Sequence, residues 1–115
     1  MNSYQDLKVW HKAKNVAVQT YHLCLLFPVE EKYGLSSQMK RCSISIASNI
    51  AEGKMRGGDK EFKRFLLIAF ASGAELETQI QIAKEVLNIK HDEYMNLESI
   101  LLETMKMLNK LIAKC

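Results

Sequence analysis

The segment from Gln38 to Arg64 carries the densest group of positive side chains in the sequence. It holds seven bases against three acids, a net charge of +4, whereas the rest of the chain sums to −1. The bases are Lys40, Arg41, Lys54, Arg56, Lys60, Lys63 and Arg64. Clustered lysines and arginines attract the phosphate backbone of nucleic acids and displace its counterions. The pattern therefore indicates a phosphate-contacting surface, with an ordinary solvated loop and helix start as the alternative.

Polar residues surround the glycines of the same segment. Gly53 stands where the helical pattern stops, which predicts a helix end with a positive φ, and Gly57 and Gly58 let the chain reverse. The carboxylate of Glu52 can hold Arg56 in a charge-assisted pair that fixes the turn. We therefore interpret Asn49, Glu52 and Gly53 as structural residues of a turn, with a partner-binding site as the alternative.

The usual signatures of bundle enzymes are missing from the sequence. No Glu-x-x-His pair provides di-iron ligands, and His11 and His22 lie three turns apart on one helix, too far to share a metal. The run from Gly53 to Lys60 is no phosphate loop, since Asp59 stands in the place of its lysine. We predict no enzyme, no catalytic residue, no cofactor and no metal.

Three widely spaced cysteines, Cys24, Cys42 and Cys115, indicate a reduced, cytoplasmic protein. The N-terminus lacks the charged and apolar regions of a signal peptide. Cys24 and Cys42 lie on apolar stripes and are predicted to be small core residues. No apolar run approaches the roughly 18 residues that cross a bilayer, so no membrane partner is predicted.

The 115 residues predict one domain, residues 1–115, of the all-α class. Helix-favouring residues fill long segments and no alternating β-branched run interrupts them. The predicted helices cover about residues 6–26, 36–52, 60–87 and 93–113, with Asp6, Ser36, Asp59 and Asp92 as N-caps. Short connections make the simplest arrangement an antiparallel, up-down-up-down four-helix bundle.

Apolar spacing predicts which face of each helix is buried. The predicted buried lines are Leu7, Trp10, Ala13, Ala17 or Val16, Tyr21 and Cys24 in the first helix; Leu35, Met39, Cys42, Ile46 and Ile50 in the second; Phe62, Leu66, Ala69, Gly73, Leu76, Ile80, Ala83 and Leu87 in the third; and Tyr94, Leu97, Leu101, Thr104, Leu108 and Leu111 in the fourth. Gly73, inside a helix, predicts a close neighbouring backbone.

Second apolar lines remain on two of the helices: Ile44, Ala47 and Ala51 on the second, and Phe65, Ile68 and Ile82 on the third. A single bundle needs only one buried face per helix, so these lines predict contact with another helix or another copy.

Most of the chain resembles the four-helix-bundle family of 23S rRNA intervening-sequence proteins, first named as ribosomal-protein-like. The resemblance is carried by Leu7–Trp10, Ala13, Phe27, Pro28, Tyr33–Leu35, Gln38–Arg41, Ser43, Ile44, Ser48–Gly53, Arg56, Glu61, Phe62, Phe65 and Leu66. The family is similar to the accessory variability determinant of diversity-generating retroelements. The resemblance implies a homopentameric ring and, in the retroelement relatives, a basic surface that binds nucleic acid and a reverse transcriptase.

Two hypotheses of function follow from the sequence. In the first, the protein is an oligomeric nucleic-acid-associated protein that binds RNA or DNA phosphates through the seven bases. Base stacking is not predicted, because Phe62 and Phe65 lie on apolar lines. In the second, it is an assembly or adaptor module whose extra apolar faces bind protein partners without nucleic acid.

Overall fold

A computed structural model describes residues 3–115 as four α-helices with three short 3-10 turns, and no strand occurs within that range. The helices are α1 (Lys8–Cys24), α2 (Leu35–Arg56), α3 (Asp59–Val86) and α4 (Met95–Lys114). The 3-10 turns span Tyr4–Asp6, Val29–Glu31 and His91–Tyr94. The predicted all-α four-helix bundle is confirmed.

Each helix packs on the helices before and after it in the chain, and α4 returns to α1 to close the bundle. The most extensive contact is between α2 and α3, which are joined by the shortest connection, Gly57 and Gly58. The bundle measures 45 × 23 × 19 Å, so its two ends are well separated.

The predicted N-caps are wrong at all four helices. Asp6 and Asp92 lie inside 3-10 turns, and Asp59 is the first residue of α3. Ser36 is buried in the first turn of α2, whose Leu35 amide instead donates to the Glu31 carboxylate at 3.2 Å. Acidic side chains are favourable near a helix N-terminus because of the helix dipole, so they mark the region without being the cap itself.

The buried face of α1 differs from the prediction by about one residue. Ala13 and Cys24 are buried as expected, and so is the alternative residue Val16, but Trp10 is half-buried and Tyr21 is exposed. The face turned to the core is Val9, Ala13, Val16, Thr20 and Leu23. Neighbouring residues differ by about 100° around a helix, so one residue decides between core and solvent.

The predicted seams of the other three helices are buried along most of their length, whereas four positions near their ends are half-buried: Leu35, Phe62, Leu87 and Leu111. Met39, Ile46, Ile50, Leu66, Leu76, Ile80, Leu97, Leu101 and Leu108 are all at most 1% exposed. Cys42 is buried too, and its thiol donates to the Ser72 carbonyl at 2.9 Å. Desolvation, assisted by the negative charge of Glu75, raises the pKa of Cys42 to about 12. Both observations fit the predicted role of Cys42 as a small core residue.

Candidate nucleic-acid interface

The chain reverses at Gly57 and Gly58 as predicted, but α2 ends four residues later than the sequence predicted. α2 continues through Gly53 to Arg56, and the positive φ values belong to Gly57 (81°) and Gly58 (88°). The prediction that Gly53 ends the helix is therefore wrong. A Cβ added at Gly57 or Gly58 would meet no heavy atom within 4 Å. The positive φ, and not close packing, therefore explains why glycine occupies both positions.

Gly53 is a packing residue, because α3 passes against it. A Cβ built at Gly53 would lie 2.5 Å from the Cβ of Phe65 and 3.4 Å from the ring of Phe62. The Cβ of Phe65 is fixed to the backbone of α3, so a side chain at residue 53 would push the two helices apart. This contact fixes how the two arms of the turn approach each other.

Asn49 lies outside the turn, because α2 extends beyond it by two turns. Its amide donates to the carbonyl of Ser45 at 2.8 Å and to the Ser45 hydroxyl at 3.0 Å. The Ser45 hydroxyl lies 2.9 Å from that of Ser72 on α3. The prediction that Asn49 belongs to the turn is thus wrong, because its side chain belongs to a polar network between α2 and α3.

The two arginines of the turn are paired with acids. Arg56 donates to Glu52 at 2.6 Å, as the spacing predicted, and also approaches Glu61 at 3.8 Å. Arg64 donates to Glu61 at 2.8 Å. The hydrogen bond from Arg64 holds the pKa of Glu61 below its usual range, and Glu61 in turn raises the pKa of Arg64. Both guanidinium groups are thus held in place by carboxylates.

The aromatic rings of the turn are covered by these cations. Arg64 lies over the ring of Phe65 at 4.4 Å from its centroid, and Arg56 lies over the same ring at 5.1 Å. The ammonium of Lys54 lies 5.6 Å from the centroid of Phe62. Cation–π contacts of this kind hold the positive groups against the surface.

The structure does not bring all seven predicted bases together. Lys54, Arg56, Lys60, Lys63 and Arg64 surround the turn. Lys40 and Arg41 lie in the second turn of α2, about 22 Å from Arg56 along the helix at about 1.5 Å per residue. Lys40 lies there over the ring of Tyr21, at 4.8 Å.

Three lysines of the turn carry charge without a partner: within residues 3–115, Lys54, Lys60 and Lys63 form no salt bridge. Lys60 and Lys63 are exposed, and Lys54 is half-exposed. The ammonium groups of Lys60 and Lys63 are the ones most free to contact an anion, whereas that of Lys54 lies over the ring of Phe62.

Tertiary folding extends the positive charge well beyond the turn. We call the end of the bundle that holds the start of α1, the α2–α3 turn and the end of α4 the turn end, and the other end the loop end. To compare the charges, each helix is divided at its middle, and Glu103 is counted at the turn end because it pairs there with Lys12 at 2.8 Å. The turn end then holds eleven bases and five acids, a net charge of +6. The loop end has five bases and eight acids, a net of −3.

The additional bases of the turn end come from the two termini of the chain. They are Lys8, Lys12, Lys14, Lys106, Lys110 and Lys114. Sequence reasoning missed them because they lie more than 35 positions from the turn in the sequence. The signal that could have found them was the predicted antiparallel topology, which already places both termini beside this turn.

Beside the turn, the second apolar line of α2 borders an open groove of about 530 Å³. The groove lies between α1 and α2, and its apolar lining includes Trp10, Ile44, Ala47, Ala51 and Met55. Ile44 and Met55 are more than 40% exposed. Within one copy, Ile44 of the second apolar line of α2 is exposed, whereas Ala47 and Ala51 are half-buried.

Residues 3–115 hold no group of three His, Cys, Asp or Glu side chains arranged to bind a metal. Across the same residues, every helix is too short or too polar to cross a membrane.

Comparison with known families decides where the chain belongs. The family of 23S rRNA-intervening sequence proteins matches residues 5–110. The chain belongs to this family. Among solved structures, this intervening-sequence protein is similar to a protein of unknown function from the S23 ribosomal protein family of Bacteroides thetaiotaomicron VPI-5482. The two are 25% identical with a TM-score of 0.83, over 91% of this chain and 95% of the other.

No curated protein matches this intervening-sequence protein. Neither the family description nor that of the structural neighbour names a catalytic activity. The resemblance inferred from the sequence is thus confirmed at the level of family and fold.

Proposed function

We propose that the protein is a non-enzymatic, homo-oligomeric, nucleic-acid-binding protein that holds phosphate backbones at its turn end. The observation that carries this proposal is the net charge of +6 on one end of a bundle whose other end has a net charge of −3. A field of this kind attracts a polyanion to one end and repels it from the other. The name of the family, which refers to an element of 23S rRNA, supports the same class of ligand.

The side chains favour backbone contact over base recognition. The ammonium groups of Lys54, Lys60 and Lys63 form no salt bridge within residues 3–115 and bind phosphates as point charges. Phe65 is buried and Phe62 half-buried, so neither ring presents a face on which bases can stack. We therefore expect binding that depends strongly on salt and weakly on nucleotide sequence.

Oligomerisation would strengthen such a surface. Each copy presents its own basic end, and several copies on one nucleic acid raise the effective concentration of each contact. The ring of five copies implied by the family resemblance belongs to this proposal. Lys40 and Arg41, about 22 Å away from the turn along α2, would add contacts only to a nucleic acid that extends along the bundle.

The experiment is a titration of fluorescent RNA and DNA oligonucleotides at several salt concentrations, read by anisotropy. The triple variant Lys54→Gln/Lys60→Gln/Lys63→Gln should weaken binding to all sequences alike and flatten the salt dependence by roughly one unit of slope for each lysine that contacts a phosphate. Lys40→Gln/Arg41→Gln should have the smaller effect.

The matched control is Lys32→Gln/Lys90→Gln, which removes two exposed lysines from the loop end and should leave binding unchanged. Equal losses in the control and in the triple variant would contradict the proposal. So would an absence of binding at low salt.

A second candidate function rests on the groove between α1 and α2. An uncovered apolar groove of about 530 Å³ beside Trp10 and Ile44 suits an assembly or adaptor module that binds another protein chain. Under this alternative, Ile44→Ser/Met55→Ser would abolish complex formation while nucleic acid fails to bind even at low salt. The anisotropy titration separates the two candidates directly.

A further inference from the structure

Two aromatic side chains that are distant from the α2–α3 turn in the sequence lie beside it in the fold. Tyr4 and Trp10 line the groove between α1 and α2, and so does Met55, the neighbour of Lys54 and Arg56 in the chain. The rings of Tyr4 and Trp10 pack edge to face, with centroids 5.0 Å apart and an angle of 64° between their planes. Folding thus adds two rings to a basic surface whose own phenylalanines are covered.

The groove has the size and the lining of a site for a flat organic ring. Its volume of about 530 Å³ lies within the range of roughly 300–1,000 Å³ that pockets for small ligands have. Most of the lining is apolar, and the half-buried Ala47 and Ala51 contribute only small side chains to it. The polar side chains of Ser48 and Glu52 lie along the same groove and can meet hydrogen-bonding groups at the edge of a bound ring.

One face of the Trp10 ring is covered by a side chain that can move. The ammonium of Lys14 lies 5.2 Å from the centroid of that ring. Lys14 is exposed and forms no salt bridge within residues 3–115. Exposed side chains change rotamer within nanoseconds, and lysine has a long, flexible stem. The ring can therefore exchange the ammonium for another flat group without any change in the fold.

The charges around the groove favour a ring that carries a phosphate. Glu52 is the single acid of the lining, and it is already paired with Arg56 at 2.6 Å. Lys14 in the lining and Lys54 beside Met55 form no salt bridge in the described part of the chain. An aromatic ring without a phosphate would gain only the stacking, whereas a nucleotide would gain the attraction of these ammonium groups as well.

We propose that the groove between α1 and α2 binds an unpaired base of the nucleic acid whose phosphates contact the turn. The base would stack on Trp10 in place of Lys14, whose ammonium would move to the adjoining phosphate. Every base has a π-face, so stacking keeps the weak dependence on nucleotide sequence. The inference rests on the proposed function and names the form of its ligand, which is a strand, loop or bulge with unpaired bases.

The first test uses the fluorescence of Trp10, which is the single tryptophan of the chain and so reports on the groove alone. At low salt, the protein is titrated with four ligands of equal phosphate number: oligouridylate, oligothymidylate, an abasic strand and a blunt, fully paired duplex. Quenching by either single strand is expected, because its bases stack on the indole. The abasic strand and the duplex should bind through their phosphates and leave the fluorescence close to that of the free protein.

Anisotropy on the same ligands gives the affinities. The single strand that quenches should bind at least about fivefold more tightly than the abasic strand, because stacking of one base adds to the same phosphate contacts. The two strands carry equal charge, so their affinities should fall with salt along parallel lines.

The second test fills the groove. Ser48→Leu, at an exposed position of α2 that lines the groove, leaves Trp10 in place. It should reduce the quenching and weaken single-strand binding by about fivefold or more, and it should leave abasic binding unchanged because no lysine is altered. The matched control is Ser99→Leu, an exposed serine of α4 at the loop end, which should change neither.

Trp10→Leu removes the stacking ring itself. It should lower the affinity for the single strand to that of the abasic strand. Because Trp10 is half-buried, the melting temperature of this variant is measured as well, and Ser48→Leu decides the test if Trp10→Leu unfolds.

Three results would overturn the base site and leave the phosphate surface standing. They are an abasic strand that binds as tightly as the single strands, an abasic strand that quenches Trp10 as strongly as they do, and a Ser48→Leu variant that behaves as Ser99→Leu does. If none of the four ligands binds at low salt, the proposed function and the base site fail together.

Discussion

The two ends of the bundle differ in whether their surface side chains contact other groups of the same chain. At the turn end, Arg56 and Arg64 are paired with Glu52 and Glu61, the aromatic rings are covered, and α3 lies directly against Gly53. At the loop end, large apolar side chains stand in solvent.

Buried polar groups differ in the same way. The hydroxyl of Tyr94, fully buried at the loop end, is one of two buried side-chain atoms in the described residues that lack a hydrogen-bond partner. At the turn end the arginines and the aromatic rings are thus engaged within the chain, whereas the loop end contains a buried hydroxyl without a partner and the most exposed large apolar side chains of the described residues.

The largest expected effect tests the close contact at the turn end. Gly53→Ala should destabilise the protein by about 2 kcal/mol, because the new methyl group meets the Cβ of Phe65 and forces α3 outward. This is the net figure, after the gain of roughly 1 kcal/mol that alanine brings to a helix. Denaturant unfolding measures the difference.

Gly73→Ala is the matched control for that prediction. Its methyl group would meet the thioether of Met105, which can rotate away, so the change in the free energy of unfolding should stay within about 1 kcal/mol of zero. If Gly73→Ala costs more than Gly53→Ala, the difference between a rigid and a yielding neighbour is not what sets the cost.

The next prediction concerns the loop end. Tyr94→Phe removes a buried hydroxyl that has no partner, so the free energy of unfolding should rise by up to about 1 kcal/mol. Burial also raises the pKa of Tyr94, which keeps the phenol neutral in the folded protein. Tyr33→Phe, at an exposed position, is the control and should change nothing. A loss of more than about 1 kcal/mol in Tyr94→Phe would mean that the hydroxyl has a partner such as a buried water.

A smaller effect is expected at the ion pair of the turn. Glu52→Gln removes the carboxylate that holds Arg56, and an exposed pair of this spacing on a helix contributes roughly 0.3–0.5 kcal/mol. Glu77→Gln, an exposed acid on α3 without a salt bridge in residues 3–115, is the control. The two variants should converge at high salt, where the pair is screened, and a difference that persists there would point to packing.

The smallest effect is a shift in titration. The Glu61 carboxylate should titrate below the usual range of a glutamate in NMR experiments, and Arg64→Gln should return it towards that range. Because its pKa is lower in the folded state, the contribution of Glu61 to stability is present above the ordinary glutamate range and is lost as the pH falls through the folded pKa. An unchanged midpoint in Arg64→Gln would show that another group causes the shift.

Local patterns in the sequence were sufficient for the helices and for most of the core. The seams of α2, α3 and α4 follow from helical spacing alone. In α3, for example, the residues between Leu66 and Ala83 that the spacing predicted to be buried are buried in the structure. The pair of Glu52 and Arg56 was equally predictable, because four residues on a helix bring two side chains together without help from the rest of the fold. The helix ends at Gly53, Ser36 and Asp92 were predicted wrongly, because several neighbouring residues at each of these positions are acceptable caps.

Gly73 shows how far local reasoning reaches. The sequence indicated a close neighbour at this position, and the structure confirms one, but it is the side chain of Met105 from α4 and not a backbone. Which atoms oppose a glycine depends on the register between two helices, and a single sequence does not contain that register.

By itself, the sequence determined the helical class, the buried seams of α2, α3 and α4, the family and the basic segment around the α2–α3 turn. Only the tertiary structure decided that Lys8, Lys110 and Lys114 join that segment at one end of the bundle, that Lys40 and Arg41 do not, and that Gly53 serves packing. The physical reason is distance: helix formation and side-chain periodicity depend on neighbours in the chain, whereas electrostatic fields and close packing depend on separation in space.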